Sequence, residues 1–79
     1  MYYTYVLKSL VKNRFYVGIT NDITRRLIEH NKKKTKSTRF YAPWELLLFE
    51  KFESRFEARV REKYLKSGIG KEYIKNMAR

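Results

Sequence analysis

Seventy-nine residues with nineteen Lys/Arg against eight Asp/Glu carry a formal charge of +11, and there is no cysteine. A chain this short buries only roughly 60% of its unfolded surface. With no thiols it can form neither a disulfide framework nor thiolate metal ligands, and one histidine rules out zinc sites of the usual kinds.

Seven Tyr, five Phe and one Trp must therefore supply much of the core. The longest purely apolar run, Leu46-Leu47-Leu48-Phe49, is far too short to span a bilayer. The opening Met1-Tyr2-Tyr3-Thr4 lacks the basic and apolar regions of a secretory signal, so the expectation is a cytoplasmic protein without membrane attachment. The charge is uneven: residues 1–40 hold ten Lys/Arg against two acids, residues 41–79 nine against six. A basic surface gathered in one half attracts phosphate backbones. The plainer explanations are solubility or contact with anionic lipid.

In chain order, Tyr2 to Lys8 is dense in β-formers and predicts a strand. Ser9 to Asn13 carries a turn, and a second strand over Arg14 to Ile19 completes a hairpin. Alternation puts Phe15, Val17 and Ile19 on one face of it, Tyr16 and Gly18 on the other. In the first strand Tyr3, Tyr5 and Leu7 share a face opposite Thr4 and Val6, and the register between the strands stays open. Thr20-Asn21-Asp22 offers an N-cap to a helix reaching His30 or Asn31. Ile23, Arg26, Leu27 and His30 form one stripe of it, half apolar and half basic, while Arg25 and Glu29 can pair on another face.

Lys32 to Pro43 is a basic loop with five positive charges. A third strand lies within Trp44 to Phe52. Ser54-Arg55-Phe56-Glu57 is a capping box that opens a second helix. On that helix Phe56, Val60 and Tyr64 form one line and Ala58, Glu62 and Leu65 a neighbouring one. Gly68 is placed to end it as a C′ glycine. A short last helix, about Lys71 to Met77, is expected to bury Tyr73, Ile74 and Met77. The order β-β-α-β-α-α predicts a single α+β domain over residues 1–79, without repeats or linkers.

Five positions carry candidate chemistry. A strand glycine such as Gly18 marks a bulge or a close backbone approach, and Tyr16 beside it can present a hydroxyl to a ligand. A core tyrosine with a satisfied hydroxyl next to a strand-ending glycine is the commoner explanation of such a pair. Arg26 offers a guanidinium fork suited to phosphate, and His30, one turn later, can exchange a proton near neutrality. The competing explanation is an Asp22–Arg26 surface pair and a helix-end histidine favoured by the dipole. Glu62 can hold Mg2+, a hard ion that favours oxygen ligands, although by composition alone a salt bridge to Arg59, Lys66 or another neighbour is the commoner outcome.

Tyr3-Thr4-Tyr5, then Tyr16-Val17-Gly18 after a ten-residue gap, then Thr20, Asn21, Arg26, Leu27 and His30 resemble the GIY-YIG nuclease superfamily. Within it the chain is similar to a small, single-domain bacterial group related to structure-specific endonucleases and the excision-repair nuclease subunit. Tyr3-Thr4 stands where the family name has Gly-Ile.

The resemblance covers essentially the whole chain and implies a three-stranded antiparallel sheet flanked by helices. It further implies endonucleolytic cleavage of phosphodiesters in DNA, with one Mg2+ or Mn2+ ion, in repair or recombination. On it, Tyr5 and Tyr16 become the motif tyrosines, one serving as general base or proton relay. Arg26 braces the scissile phosphate, His30 assists proton transfer, and Glu62 ligates the metal. The family's late asparagine has only Asn76 as its counterpart. Gly18, Arg25, Lys32, Lys33, Lys34, Lys36 and Arg39 are assigned to nucleic-acid binding. A nucleic-acid-binding module that keeps the fold without cutting is the alternative, a small regulatory protein a more distant one, and a protein partner is left open. Convergence of Tyr5, Tyr16, Arg26 and Glu62 on one basic concavity is the expectation that separates a catalytic site from a binding one.

Overall fold

The computed structural model describes residues 1–78. Strand β1 (Tyr2–Ser9) lies between β2 (Phe15–Thr20) and β3 (Trp44–Phe52), both antiparallel to it. Helix α1 (Ile23–Asn31) follows β2, α2 (Arg55–Lys66) follows β3, and α3 (Gly68–Met77) closes the chain. The architecture is the expected α+β fold in the order β-β-α-β-α-α.

The central strand explains the two layers. Thr4, Tyr5, Val6 and Leu7 are all buried in succession, because β1 is covered on both faces. Tyr5, Leu7 and Trp44 form one cluster, on which Ile23 and Leu27 of α1 and Tyr16 pack. Val6, Val17, Leu65 and Ile74 form the other, beneath α2 and α3. The hydroxyl of Thr4, on this second face, donates to the Ala58 carbonyl at 2.7 Å. A register shift between Val6 and Leu7 leaves Leu47 as the extra residue of β3, so Leu47 and Leu48 both reach the second cluster.

The β2–α1 connection is built as its polar residues suggest. The Asp22 amide donates to Thr20 Oγ1 at 3.1 Å, and the Asp22 carboxylate accepts from the Arg25 amide at 3.0 Å, capping α1. The capping box of α2 forms as well, the Glu57 amide donating to Ser54 Oγ at 3.2 Å.

Three expectations about the helices need correction. Gly68 is not a C′ glycine but the first residue of α3. Ser67, in extended conformation, ends α2 with its amide on the Tyr64 carbonyl (3.0 Å) and caps α3 by accepting from the Gly70 amide (3.2 Å), so no left-handed residue is required. The last helix therefore starts at Gly68 rather than Lys71. It meets the body through Gly70 and Ile74, one turn apart, which leaves Tyr73 38% and Met77 50% exposed. Gly70 is needed there: a Cβ would lie 2.1 Å from the Tyr64 carbonyl oxygen. The Phe56–Val60–Tyr64 line faces outward, and Ala58, Glu62 and Leu65 make the buried one.

The basic segment after α1 is held at several points. Asn31 brackets Trp44, accepting from its amide (2.6 Å) and donating to its carbonyl (3.0 Å). The Trp44 indole donates to the Thr38 carbonyl at 3.0 Å, and a 3-10 turn over Arg39–Tyr41 leads into β3.

Candidate active site

Register brings the motif residues of the two strands together. Tyr5 lies opposite Gly18 and Leu7 opposite Tyr16, so both tyrosines and the glycine share the face covered by α1. A Cβ on Gly18 would fall 2.7 Å from the Tyr5 hydroxyl and 2.9 Å from the Tyr16 ring. The glycine is thus the gap that lets both phenol rings lie over the strand. This is the close approach its position suggested.

The mixed stripe of α1 supplies the rest. Ile23 and Leu27 pack on the cluster, and His30, on the same stripe, is fully buried. Its Nε2 lies 3.1 Å from the Tyr5 hydroxyl and its Nδ1 2.8 Å from Thr38 Oγ1. The Thr38 hydroxyl donates onward to the Thr35 carbonyl at 3.4 Å. That direction makes Thr38 Oγ1 the acceptor of the Nδ1 proton and leaves Nε2 to accept from Tyr5. The Tyr16 ring centre is 4.8 Å from that of His30. No buried side-chain nitrogen or oxygen among the described residues lacks a partner.

Burial decides the protonation states. It pushes the Tyr5 hydroxyl up to about 12, with nearby Tyr16 adding to the rise and Arg26 pulling against it. Burial, with the Arg26 charge adding to it and Glu29 opposing, pushes the His30 imidazole down to about 4. At neutral pH Tyr5 keeps its proton and His30 is neutral. The lowering of the tyrosine by Arg26, which a free phenolate base requires, is outweighed.

Arg26 is part-buried and donates from Nη1 to Glu29 at 2.9 Å, which holds its pKa above the usual arginine value. Asp22 does not pair with it, being occupied as the helix cap. Arg25 forms the anticipated bond to Glu29 (3.2 Å) and a second to Asn21 Oδ1 (3.1 Å). Arg25 and Arg26 line a cleft of about 390 Å³ with Thr20, Asn21 and Arg55, the last from the start of α2.

Glu62 is 8% exposed on α2, between Arg55, which lines the Arg26 cleft, and Lys66, which lines a second cleft with Tyr16. Its oxygens are engaged by Lys66 Nζ at 3.1 Å and by Arg59 Nη1 at 3.5 Å. Tyr5, Tyr16 and His30 converge with Arg26 beside them, while the Glu62 carboxylate is paired with Lys66 and Arg59. No cluster of three His, Cys, Asp or Glu occurs among the described residues. A lone hard carboxylate nevertheless suits Mg2+, which retains waters and takes substrate phosphate oxygens beside one or two protein ligands. Asn76 is exposed on α3, in the same layer as α2. Lys32, Lys33, Lys34 and Lys36 are exposed on the loop, and Arg39 lies over the Phe40 ring at 4.9 Å.

Thr38, Thr35 and Arg55 escaped the sequence reading. Thr38 belongs to a loop whose cations dominate its pattern, and no periodicity links it to His30 eight residues earlier. Arg55 was legible only as the first residue of a capped helix.

The chain matches the GIY-YIG catalytic domain over residues 1–74. It is 45% identical over 58 residues to a UPF0213 protein of Listeria welshimeri, covering 72% of this chain and 63% of that relative, a little under two thirds of its length. A UPF0213 protein of Clostridium perfringens is 40% identical over 67 residues, covering 84% and 71%. One of Bacillus pumilus is 39% identical over 80 residues, covering 96% and 81%. The solution NMR structure of a UPF0213 protein from Bacillus halodurans superposes with a TM-score of 0.56 at 32% identity, over 96% of this chain and 83% of that one. The domain match runs through β1, β2, α1 and α2 together, and the chain belongs to the GIY-YIG family.

Proposed function

We propose that this chain is a divalent-metal-dependent endonuclease that hydrolyses phosphodiester bonds in DNA. The observation that carries the reading is the grouping of Tyr5, Tyr16 and His30 at Gly18, with Arg26 beside them, in a family of nuclease type. Such a grouping costs a small core several apolar positions, and phosphate chemistry explains it.

Arg26 spends one nitrogen on Glu29 and keeps the rest of its fork for a phosphate oxygen, where charge develops in the transition state. Tyr16, more exposed than Tyr5, orients the attacking water. The proton that water loses passes to the Tyr5 oxygen as Tyr5 gives its own to Nε2 of neutral His30. No free phenolate is needed. Glu62, released by Lys66 and Arg59, would hold Mg2+ or Mn2+. When bound, such an ion polarises the phosphate and stabilises the leaving oxygen.

Cleavage of branched, flapped and single-stranded DNA with Mg2+ or Mn2+ tests this. Arg26→Ala should lower the rate by about 100-fold or more, the usual cost of removing a transition-state donor. Glu62→Ala should abolish metal-dependent cleavage, and both variants should still bind. The cation pairs on Glu62 favour a second reading, a binding module that does not cut. It prevails if the wild-type chain binds all three substrates and leaves them intact.

A further inference from the structure

We propose that the outer face of α2 is a self-association surface, on which a second copy of this chain packs to form a two-fold symmetric dimer. The assignment does not depend on whether the chain cuts DNA. Phe56, Val60 and Tyr64 fall at i, i+4 and i+8, one row along the outward side of α2, and they are 76%, 53% and 42% exposed. With Phe52 from the end of β3 they line a groove of about 470 Å³. A contiguous row of this kind differs from the single apolar side chains that any surface carries, and it marks a contact site.

Charge and symmetry select a second copy as the occupant. Residues 44–64, which make up β3 and most of α2, hold five acids and five Lys/Arg, whereas the rest of the chain holds three acids and fourteen Lys/Arg. The whole surplus of +11 therefore lies outside this segment, and two copies can meet here without like-charge repulsion. A nucleic acid would settle on the surplus instead. The groove's own charges are satisfied within the chain. Arg61 donates to both Glu50 oxygens (2.8 and 3.0 Å) with its guanidinium 4.9 Å from the Tyr64 ring, and Glu57 accepts from Ser54 Oγ at 3.0 Å. The row is also its own complement. A two-fold axis through Val60 sets Val60 against its own copy and Phe56 against Tyr64 of the second copy, aromatic against aromatic, as an isologous contact requires. Rows at four-residue spacing on both helices interdigitate, the commonest way in which two helices pack.

Such a dimer leaves both candidate sites open, because Tyr5, Tyr16 and α1 lie on one face of the sheet and α2 covers the other. Four large side chains fall short of the roughly 800 Å² per partner of a standard interface, so monomer and dimer exchange at micromolar concentrations.

Sedimentation velocity over a concentration series tests the assignment. The wild-type chain should pass from monomer to dimer over roughly 1–100 μM. The dimer should tighten several-fold between about 50 and about 500 mM NaCl, as salt screens the charge that each copy carries elsewhere. Phe56→Glu/Val60→Glu should weaken it by at least about tenfold, since carboxylates would then meet across the axis. Ile28→Glu, at an exposed apolar position of α1, should leave it unchanged. Circular dichroism should show both variants folded, the substituted side chains being exposed. The chain has no cysteine, so Val60→Cys treated with a short bismaleimide should give a covalent dimer and Ile28→Cys far less of one. A monomer at every concentration and salt would overturn the proposal and leave the row to a different protein. So would a dimer that persists in Phe56→Glu/Val60→Glu, or one that high salt dissolves, which would mark contact through the basic surfaces.

Discussion

Tyr5 and His30 are tuned by the same cause in opposite senses, because burial penalises the charged form of each: phenolate in one, imidazolium in the other. The stability consequence can be signed. His30 has a folded pKa of about 4 against an ordinary 6.5, so its contribution is present above pH 6.5 and is lost as pH falls toward 4. Over that window the slope should be about 1.4 kcal/mol per pH unit. Urea midpoints of the wild type and His30→Gln, followed from pH 7.5 to 4, should diverge in slope, the variant lacking this dependence. Parallel curves would show that the imidazole is not the titrating group. Gly18 belongs to the same scale. Gly18→Ala puts a methyl 2.7 Å from the Tyr5 hydroxyl and should cost about 1–3 kcal/mol by overpacking. In cleavage assays it should also displace the tyrosine and lower the rate well beyond that loss of stability.

At the level of elements, strands and caps were the most legible. Local signals decide them: β-formers from Tyr2, the Asp22 and Ser54 caps, the Ile23–Leu27 stripe. The register was not legible, because either alternation of β1 against β2 leaves an apolar set on both faces of a strand that is buried on both. Helix burial was misjudged in α3, where composition favours burying Tyr73 and Met77 but the helix docks through Gly70 and Ile74. Of the site, the β2–α1 half could be read from spacing. Its link to Thr38 could not, since it depends on how a loop is anchored. The α2–α3 join makes a prediction here. Gly70→Ala forces a Cβ against the Tyr64 carbonyl and the Leu65 backbone, neither of which can yield cheaply. A loss of about 2 kcal/mol or more in chemical denaturation is expected. A near-neutral result would mean that α3 docks differently.

Across the whole molecule the charge of +11 is unevenly spread, with residues 1–40 holding ten Lys/Arg against two acids. The Lys32–Lys36 segment is exposed and carries no acids, yet it is pinned by Asn31, Thr38 and Trp44. Its cations therefore come preassembled. Neutralising Lys32, Lys33, Lys34 and Lys36 should reduce the slope of log affinity against log salt by up to about one per lysine. An unchanged slope would place the phosphate-binding surface elsewhere. No helix among the described residues is long and apolar enough to cross a membrane. Ser67 has a consequence at this scale. As the end of one helix and the beginning of the next, it joins them without a linker, and Gly70 seats against the Tyr64 carbonyl and the Leu65 backbone. The carboxylate of Glu62 and the ammonium groups of Lys71 and Lys75 are therefore held at one spacing, and a substrate that draws on both must match it.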